Sequence, residues 1–116
     1  MNVHIKRVYE PSESSDGTRV LIDRLWPRGL TKEKARVGLW LKDTAPSTEL
    51  RKWFGHDPAK WGEFKKRYHK ELTKNKEIIS KLEEQFKNGN VTLVYGAKDE
   101  EHNDAVVLKE YLEKKV

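Results

Sequence analysis

The sequence predicts an α/β fold: a small, mainly parallel sheet with helices packed over it, in a single compact domain. Three observations predict it. Val20-Leu21-Ile22 is a continuous apolar run, which suits a central strand covered on both faces. Val91-Thr92-Leu93-Val94-Tyr95 is rich in β-branched residues and reads as a second strand. The long stretch between them is patterned mainly as helix, and a helical crossover suits parallel pairing. At 116 residues and 13.7 kDa the chain has the size of one domain, residues 1–116.

Each element follows in order. Val3-His4-Ile5-Lys6-Arg7-Val8-Tyr9 alternates apolar and polar residues, the period of a half-buried strand. Pro11 to Gly17 is a polar loop, and the central strand spans Thr18 to Trp26 before Pro27 and Gly29 break it. Thr31 caps a short helix over 32–36. Val37 to Leu41 reads either as a short strand or as an extended segment. Ser47 is an N-cap for a helix over 48–54, and Gly55 ends it. Asp57-Pro58 starts the next helix, with a capping carboxylate before Pro at the first helical position. Trp61, Phe64, Tyr68 and Leu72 then fall on one apolar face, continued by Ile78, Ile79, Leu82 and Phe86. Residues 58–88 form one helix, or two with a break near Thr73–Asn75. Gly96 to Asn103 is a loop, and 104–114 is a final helix with Ala105, Leu108, Tyr111 and Leu112 on one face.

Composition excludes several classes of function. The chain has no cysteine, so disulfides, zinc–thiolate sites and thiol catalysis are absent. The four histidines share no metal-ligand spacing, so no metal site is assigned. No apolar run approaches the roughly 20 residues of a membrane span, and Met1 to Lys6 lacks the apolar stretch of a secretory signal. The expected setting is the cytoplasm, without membrane association. The net charge is +5, and the basic excess sits in residues 31–90, with 15 Lys and Arg against 9 Asp and Glu. Such an excess attracts nucleic acid or anionic metabolites. Interleaving of Lys65, Lys66, Lys70, Lys74 and Lys76 with Glu63, Glu71 and Glu77 also fits a solvated helix face.

Four stretches carry a resemblance. They are Asp23-Arg24-Leu25-Trp26-Pro27-Arg28-Gly29-Leu30; Trp40-Leu41-Lys42 with Ala45-Pro46-Ser47; Leu50 to Pro58 with Trp61, Phe64 and Tyr68; and Val94-Tyr95-Gly96-Ala97-Lys98-Asp99 with His102-Asn103. Together they resemble the YeaO-like branch of the domain-of-unknown-function family 488. The resemblance implies a compact α/β domain in a bacterial or archaeal cytoplasm, and no established activity. Members of the broader family look as though they carry Cys-His-Arg after the last strand, where this chain has Glu101-His102-Asn103. The chain is also loosely similar to rhodanese-like domains, but without a cysteine it has no sulfur-transfer nucleophile. No Gly-rich loop follows a strand, so no cofactor is assigned.

Three motifs can carry chemistry. In the first, Arg24 and Arg28 offer planar forks for phosphate or carboxylate, beside Trp26, past the end of the central strand. The alternative is an Asp23–Arg24 or Arg28–carboxylate pair that ties the loop down. In the second, His56 beside Asp57 has the side-chain chemistry of a general acid or base, while Asp57 serves as a helix cap. The third is Tyr95 to Asn103, a loop after a strand, with Lys98 for an anion and His102 for proton transfer. Asp99, Glu100, Glu101 and Asp104 crowd the same helix start, where carboxylates are stabilised without any function. The leading expectation is a pocket for a small anionic ligand, with His56 and His102 as the catalytic candidates and Arg24, Trp26, Arg28, Lys42, Arg51, Tyr95, Lys98 and Asn103 binding the ligand. The alternatives are a nucleic-acid-binding accessory domain and a protein-interaction module. Cofactor and oligomeric state are left open by the sequence.

Overall fold

The two strongest strand signals lie side by side in the middle of the sheet. The computed structural model describes residues 3–114. It contains strands β1 (His4–Arg7), β2 (Thr18–Leu21), β3 (Leu39–Trp40) and β4 (Val91–Tyr95), in the order β1-β4-β2-β3. All pairings are parallel, with Arg19 opposite Thr92, Lys6 opposite Val94 and Val20 opposite Leu39. The central strand is shorter than its sequence signal. Ile22 still donates its N–H to the Val94 carbonyl at 3.3 Å, but residues 23–25 already bend away ahead of Pro27. The ambiguous segment 37–41 supplies β3, an edge strand of two residues.

Helix boundaries follow local chemistry. Helix α1 (Lys32–Ala35) is capped by Thr31, whose side chain accepts from the Lys34 N–H, and ends at Arg36 in the left-handed region. Helix α2 (Thr48–Phe54) starts at Ser47, whose Oγ accepts from the Leu50 N–H at 3.2 Å and donates to Glu71 Oε2 at 2.6 Å. Asp57 caps a 3-10 turn over Pro58–Lys60, accepting from the Ala59 N–H at 3.0 Å. That turn leads into α3 (Trp61–Lys74), and α4 (Lys76–Lys87) follows. The stretch 58–88 is therefore interrupted at Asn75, whose N–H is shared between the Glu71 and Leu72 carbonyls at the end of α3. Helix α5 (Asp104–Lys114) follows β4. Among the described residues no helix is long and apolar enough to cross a membrane.

Strand alternation divides the buried side chains between two faces. Val20, Ile22, Val91, Leu93 and Tyr95 join the large cluster on the first face, packed with Phe54, Phe64, Tyr68, Leu72 and the apolar side of α5. Phe54 and Phe64 stack at 4.3 Å between ring centroids, and Trp61 packs beside them, only half-buried. The Tyr68 hydroxyl donates to the Thr44 carbonyl at 2.6 Å, which anchors α3 to the segment before α2. Leu21 and Val94 point to the second face, where they meet Val8 and Ala35 under Trp26, Leu30 and Val37.

The second face also buries an ion pair that the sequence reading did not single out. Arg19 is 2% exposed and Asp16 is 7% exposed. The guanidinium donates to Asp16 Oδ2 at 2.9 Å, to the Ala35 carbonyl at 3.0 Å and to the Val8 carbonyl at 3.0 Å. Lys6 Nζ approaches both Asp16 oxygens at 3.3 Å. Burial pushes the Asp16 pKa up, but hydrogen bonds from Arg19, the Glu13 N–H and Lys6 outweigh it and hold the carboxyl below its ordinary value. Gly17 follows at φ 64°, where a Cβ would stand 2.1 Å from the Asn90 carbonyl oxygen, so only glycine lets β2 begin against β4.

Two stability outcomes follow. Arg19→Met leaves Asp16 buried without its main partner, and its denaturant midpoint falls by the equivalent of about 3–5 kcal/mol. Phe64→Ala loses about 3–5 kcal/mol, the range for a buried aromatic, and Trp61→Ala loses clearly less because Trp61 keeps one side in solvent. Equal losses in urea melts would show that Trp61 is as much a core residue as Phe64.

Candidate functional site

In a parallel sheet every strand ends at the same side, so groups that follow adjacent strands come together there. Strands β2 and β4 are neighbours, but the chain leaves them in opposite directions. After β2 it passes to α1 on the second face, and after β4 it passes to α5 on the first. Divergence of this kind opens a crevice at the carboxyl ends of the strands, the usual ligand position in open α/β sheets. A cavity of about 450 Å³ lies in this position. Its floor is Asp23 and Asp104; Phe54, Phe64, Ala45 and Pro46 contribute apolar wall, and Arg24, Arg51 and Lys52 bring cationic groups to it.

The two carboxyl groups are the electrostatic centre of the crevice. Asp23 Oδ2 accepts the Gly96 N–H at 2.7 Å, which pins the loop after β4 to the end of β2. The Asp104 carboxyl faces the same crevice and lies near enough to Asp23 for each to shift the other's pKa. Burial raises the Asp104 pKa far above that of an ordinary carboxyl, and the neighbouring Asp23 charge raises it further. Burial also raises Asp23, against the opposing pull of the Gly96 N–H, Asp104 and Arg51. Two carboxyls this close share a proton, because both cannot ionise cheaply in a low-dielectric site. Asp104 thus acts as a hydrogen-bond donor to Asp23.

The cations carry the opposite character. Arg24 Nη2 donates weakly to the Pro46 carbonyl at 3.4 Å, and its Nε–H is buried with no partner. Among the described residues Arg24, Arg51 and Lys52 have no carboxylate within 4.0 Å, although Arg51 is near enough to Asp23 to lower its pKa. The histidines stand at the rim. His102 Nδ1 lies 2.9 Å from Asp99 Oδ2, and the ring sits edge-on to Trp61 at 5.2 Å. His56 is exposed and adopts φ 56°, directly after Gly55 at φ 54°. No group of three or more His, Asp or Glu side chains among the described residues could hold a metal ion.

The crevice brings together Arg24, Arg51, His56, His102 and Asn103 from the residues that the sequence points to. Asn103 is buried and caps α5, its Oδ1 accepting from the Val106 N–H at 3.0 Å. The other candidates lie elsewhere. Trp26 turns to the second face, donates to the Leu30 carbonyl at 2.7 Å and meets Trp40 edge-on at 5.5 Å. Arg28 is exposed past the bend, and its carbonyl accepts from the Tyr9 hydroxyl. Lys42 lies over the Trp40 ring at 5.2 Å, Lys98 is exposed, and Tyr95 is buried in the core. Lys52 was passed over by sequence reasoning, which read Asp23 only as a structural partner and Asp104 only as a helix-start carboxylate. The available signal for Asp104 was its position just after the β4 loop, opposite a carboxylate that ends the neighbouring strand.

Comparison with known proteins places the chain. The family described as "Inactive DUF488-N3 subclade" matches residues 2–116. The protein named "Uncharacterized protein YeaO" from Escherichia coli is 42% identical over 112 residues, 97% of each chain. The protein named "Uncharacterized protein Rv3073c" from Mycobacterium tuberculosis is 53% identical over 70 residues, 60% of this chain and 59% of its own length. The Mycobacterium bovis protein named "Uncharacterized protein Mb3100c" matches to the same extent. No solved structure matches.

The carboxyl pair has a pH signature. In the unfolded chain Asp104 ionises at about 3.9, and in the fold only at higher pH. The folded state therefore binds the extra proton, and stability falls as pH rises from the unfolded value to the folded one. Asp104→Asn keeps a donor for Asp23 and has no charge to bury. Its melting temperature is expected to match the unaltered protein near pH 4 and to exceed it increasingly toward pH 8. Parallel melting curves across that range would show that the pair does not share a proton.

Proposed function

The chain belongs to the DUF488 family, in its YeaO-like branch and inactive N3 subclade, and we propose that it is a binding domain for a small anionic molecule, held in the crevice between the ends of β2 and β4. The observation that carries this reading is Arg24. Among the described residues its Nε–H is buried without a partner, and Arg51 and Lys52 line the same crevice without a carboxylate in ion-pairing range. An unpaired buried donor is costly, and a ligand oxygen drawn to this guanidinium offsets part of that cost. Apolar walls from Phe54, Phe64 and Pro46 lower the local dielectric and strengthen the contact.

The catalytic reading has weaker support. The chain has no cysteine, so the family resemblance supplies no nucleophile. His102 is occupied by Asp99, and His56 sits at the rim. The subclade description, "Inactive", agrees with a binding domain.

A second reading rests on α3. Lys66, Lys70 and Lys74 are exposed one turn apart on that helix, and among the described residues none has an ion-pair partner. Such a stripe suits a polyanion such as a nucleic-acid backbone, whose affinity would fall steeply with salt.

Thermal shift with phosphate, sulfate and short dicarboxylates tests the anion site, because a ligand that binds only the folded state raises the apparent melting temperature. The unaltered protein is expected to be stabilised in a saturable way. Arg24→Ala should abolish the shift, and Arg24→Lys should weaken it about tenfold or more, since a point charge does not reproduce a planar fork. A shift retained in Arg24→Ala and lost in Lys66→Ala/Lys70→Ala/Lys74→Ala moves the function to the helix face.

A further inference from the structure

An anion drawn to Arg24 enters a crevice whose floor is two carboxyl groups, and a simple anion gains nothing from that floor. We propose that the crevice takes an amphoteric ligand, a small molecule whose phosphate or carboxylate meets Arg24 and whose protonated amine sits on the Asp23–Asp104 pair. The inference rests on the anion-site reading and names the class of molecule that this site selects.

The chemistry of both ends is present in one cavity. Asp23 and Arg24 are consecutive in the chain, and both line the crevice, so acid and base are presented together just past the end of β2. Asp104 faces the same space from the start of α5. The groups around the pair are Gly96 N–H from the loop after β4, Arg51 from α2, Tyr68 and Glu71 from α3, and His102 and Asn103 before α5. The Tyr68 hydroxyl is committed to the Thr44 carbonyl and Glu71 to Ser47. Arg51 is therefore the one side-chain cation among these that favours ionised Asp23, and among the described residues no side-chain cation pairs with both carboxyls. An ammonium group does so: its N–H groups donate to both carboxyls and take the place of the shared proton, which leaves to solvent. The ligand's anionic end also separates it from simple amines, which leave the Arg24 donors empty. A cavity of about 450 Å³ accommodates a molecule of amino-acid or phospho-amine size.

Matched probes separate the two ends. Phosphoethanolamine, ethyl phosphate and ethylamine share one skeleton, as do β-alanine, propionate and propylamine. Calorimetric titration of the full chain at pH 7 is expected to show the amphoteric member of each set binding about tenfold or more tighter than either partner. Its heat should change with the ionisation heat of the buffer in the sense of proton release. Asp104→Asn should remove both the advantage and the proton release while ethyl phosphate still binds. The proton count on the unaltered protein decides the matter even if that variant folds poorly. If ethyl phosphate and propionate bind as tightly as their amine-bearing counterparts, without proton release, the amphoteric proposal fails and the anion site stands. If no probe binds up to roughly 10 mM, both fail.

Discussion

The buried Arg19 guanidinium closes a face of the sheet that has too little helix to close itself. A parallel sheet needs cover on both sides. Among the described residues the first face has four helices, but the second has only the four-residue α1 and the loops after β1 and β2. Arg19 points into that second face from the central strand β2. It binds the end of β1 through the Val8 carbonyl, the end of α1 through the Ala35 carbonyl, and a 3-10 turn over Ser14–Asp16 through Asp16. Lys6 from the edge strand β1 completes the same carboxylate. One cation thus joins the end of β1, the turn at Asp16 and the end of α1 across this face. A burial that would be costly for a lone charge is tolerated because its donors and the Asp16 charge are satisfied.

With the second face closed by short elements, the sheet can let its chain depart in two directions. The helices of the first face pack against Val20, Ile22 and Leu93, while α1 returns on the other side. The carboxyl ends of β2 and β4 are then left as neighbours with an open crevice above them. Asp23 performs two tasks there. Its contact with Gly96 ties the loops together, and its contact with Asp104 sets up the shared proton. A Cβ on Gly96 would stand 3.2 Å from Asp23 Oδ2, so the small residue permits the close approach. The same polar interaction thus holds the loops in place and gives the crevice its acid character, opposite the unpaired Arg24.

Much of the architecture was legible because its causes are local. Val20 to Ile22 and Val91 to Tyr95 have the composition of buried parallel strands, and they are the central pair. Thr31, Ser47 and Asp57 cap the turns they precede, since a side-chain oxygen can reach an N–H two or three residues on. The sequence left 58–88 open between one helix and two, and the break at Asn75 was decided by the fold. Arg24, His56 and His102 were read as site residues from their positions beside turns and strand ends. Trp26 and Arg28 were read the same way, yet the bend at Pro27 takes both of them out of the crevice. The direction in which a loop departs is set by what it packs on, and Trp26 packs under Trp40 on the second face.

The sequence by itself determined the class of fold, the central strands, the caps and the absence of thiol chemistry. These depend on periodicity, side-chain type and contacts within a few residues. The tertiary structure alone decided which distant groups meet. Strand order brings Asp23 beside Asp104 and Arg19 beside both Val8 and Ala35. No local pattern encodes those pairings, because they depend on which strand lies next to which. The protonation of Asp104 belongs to the same category. Read along the chain, it is an ordinary carboxylate at a helix start. Burial and a second carboxyl group from the far side of the sequence turn it into a proton donor.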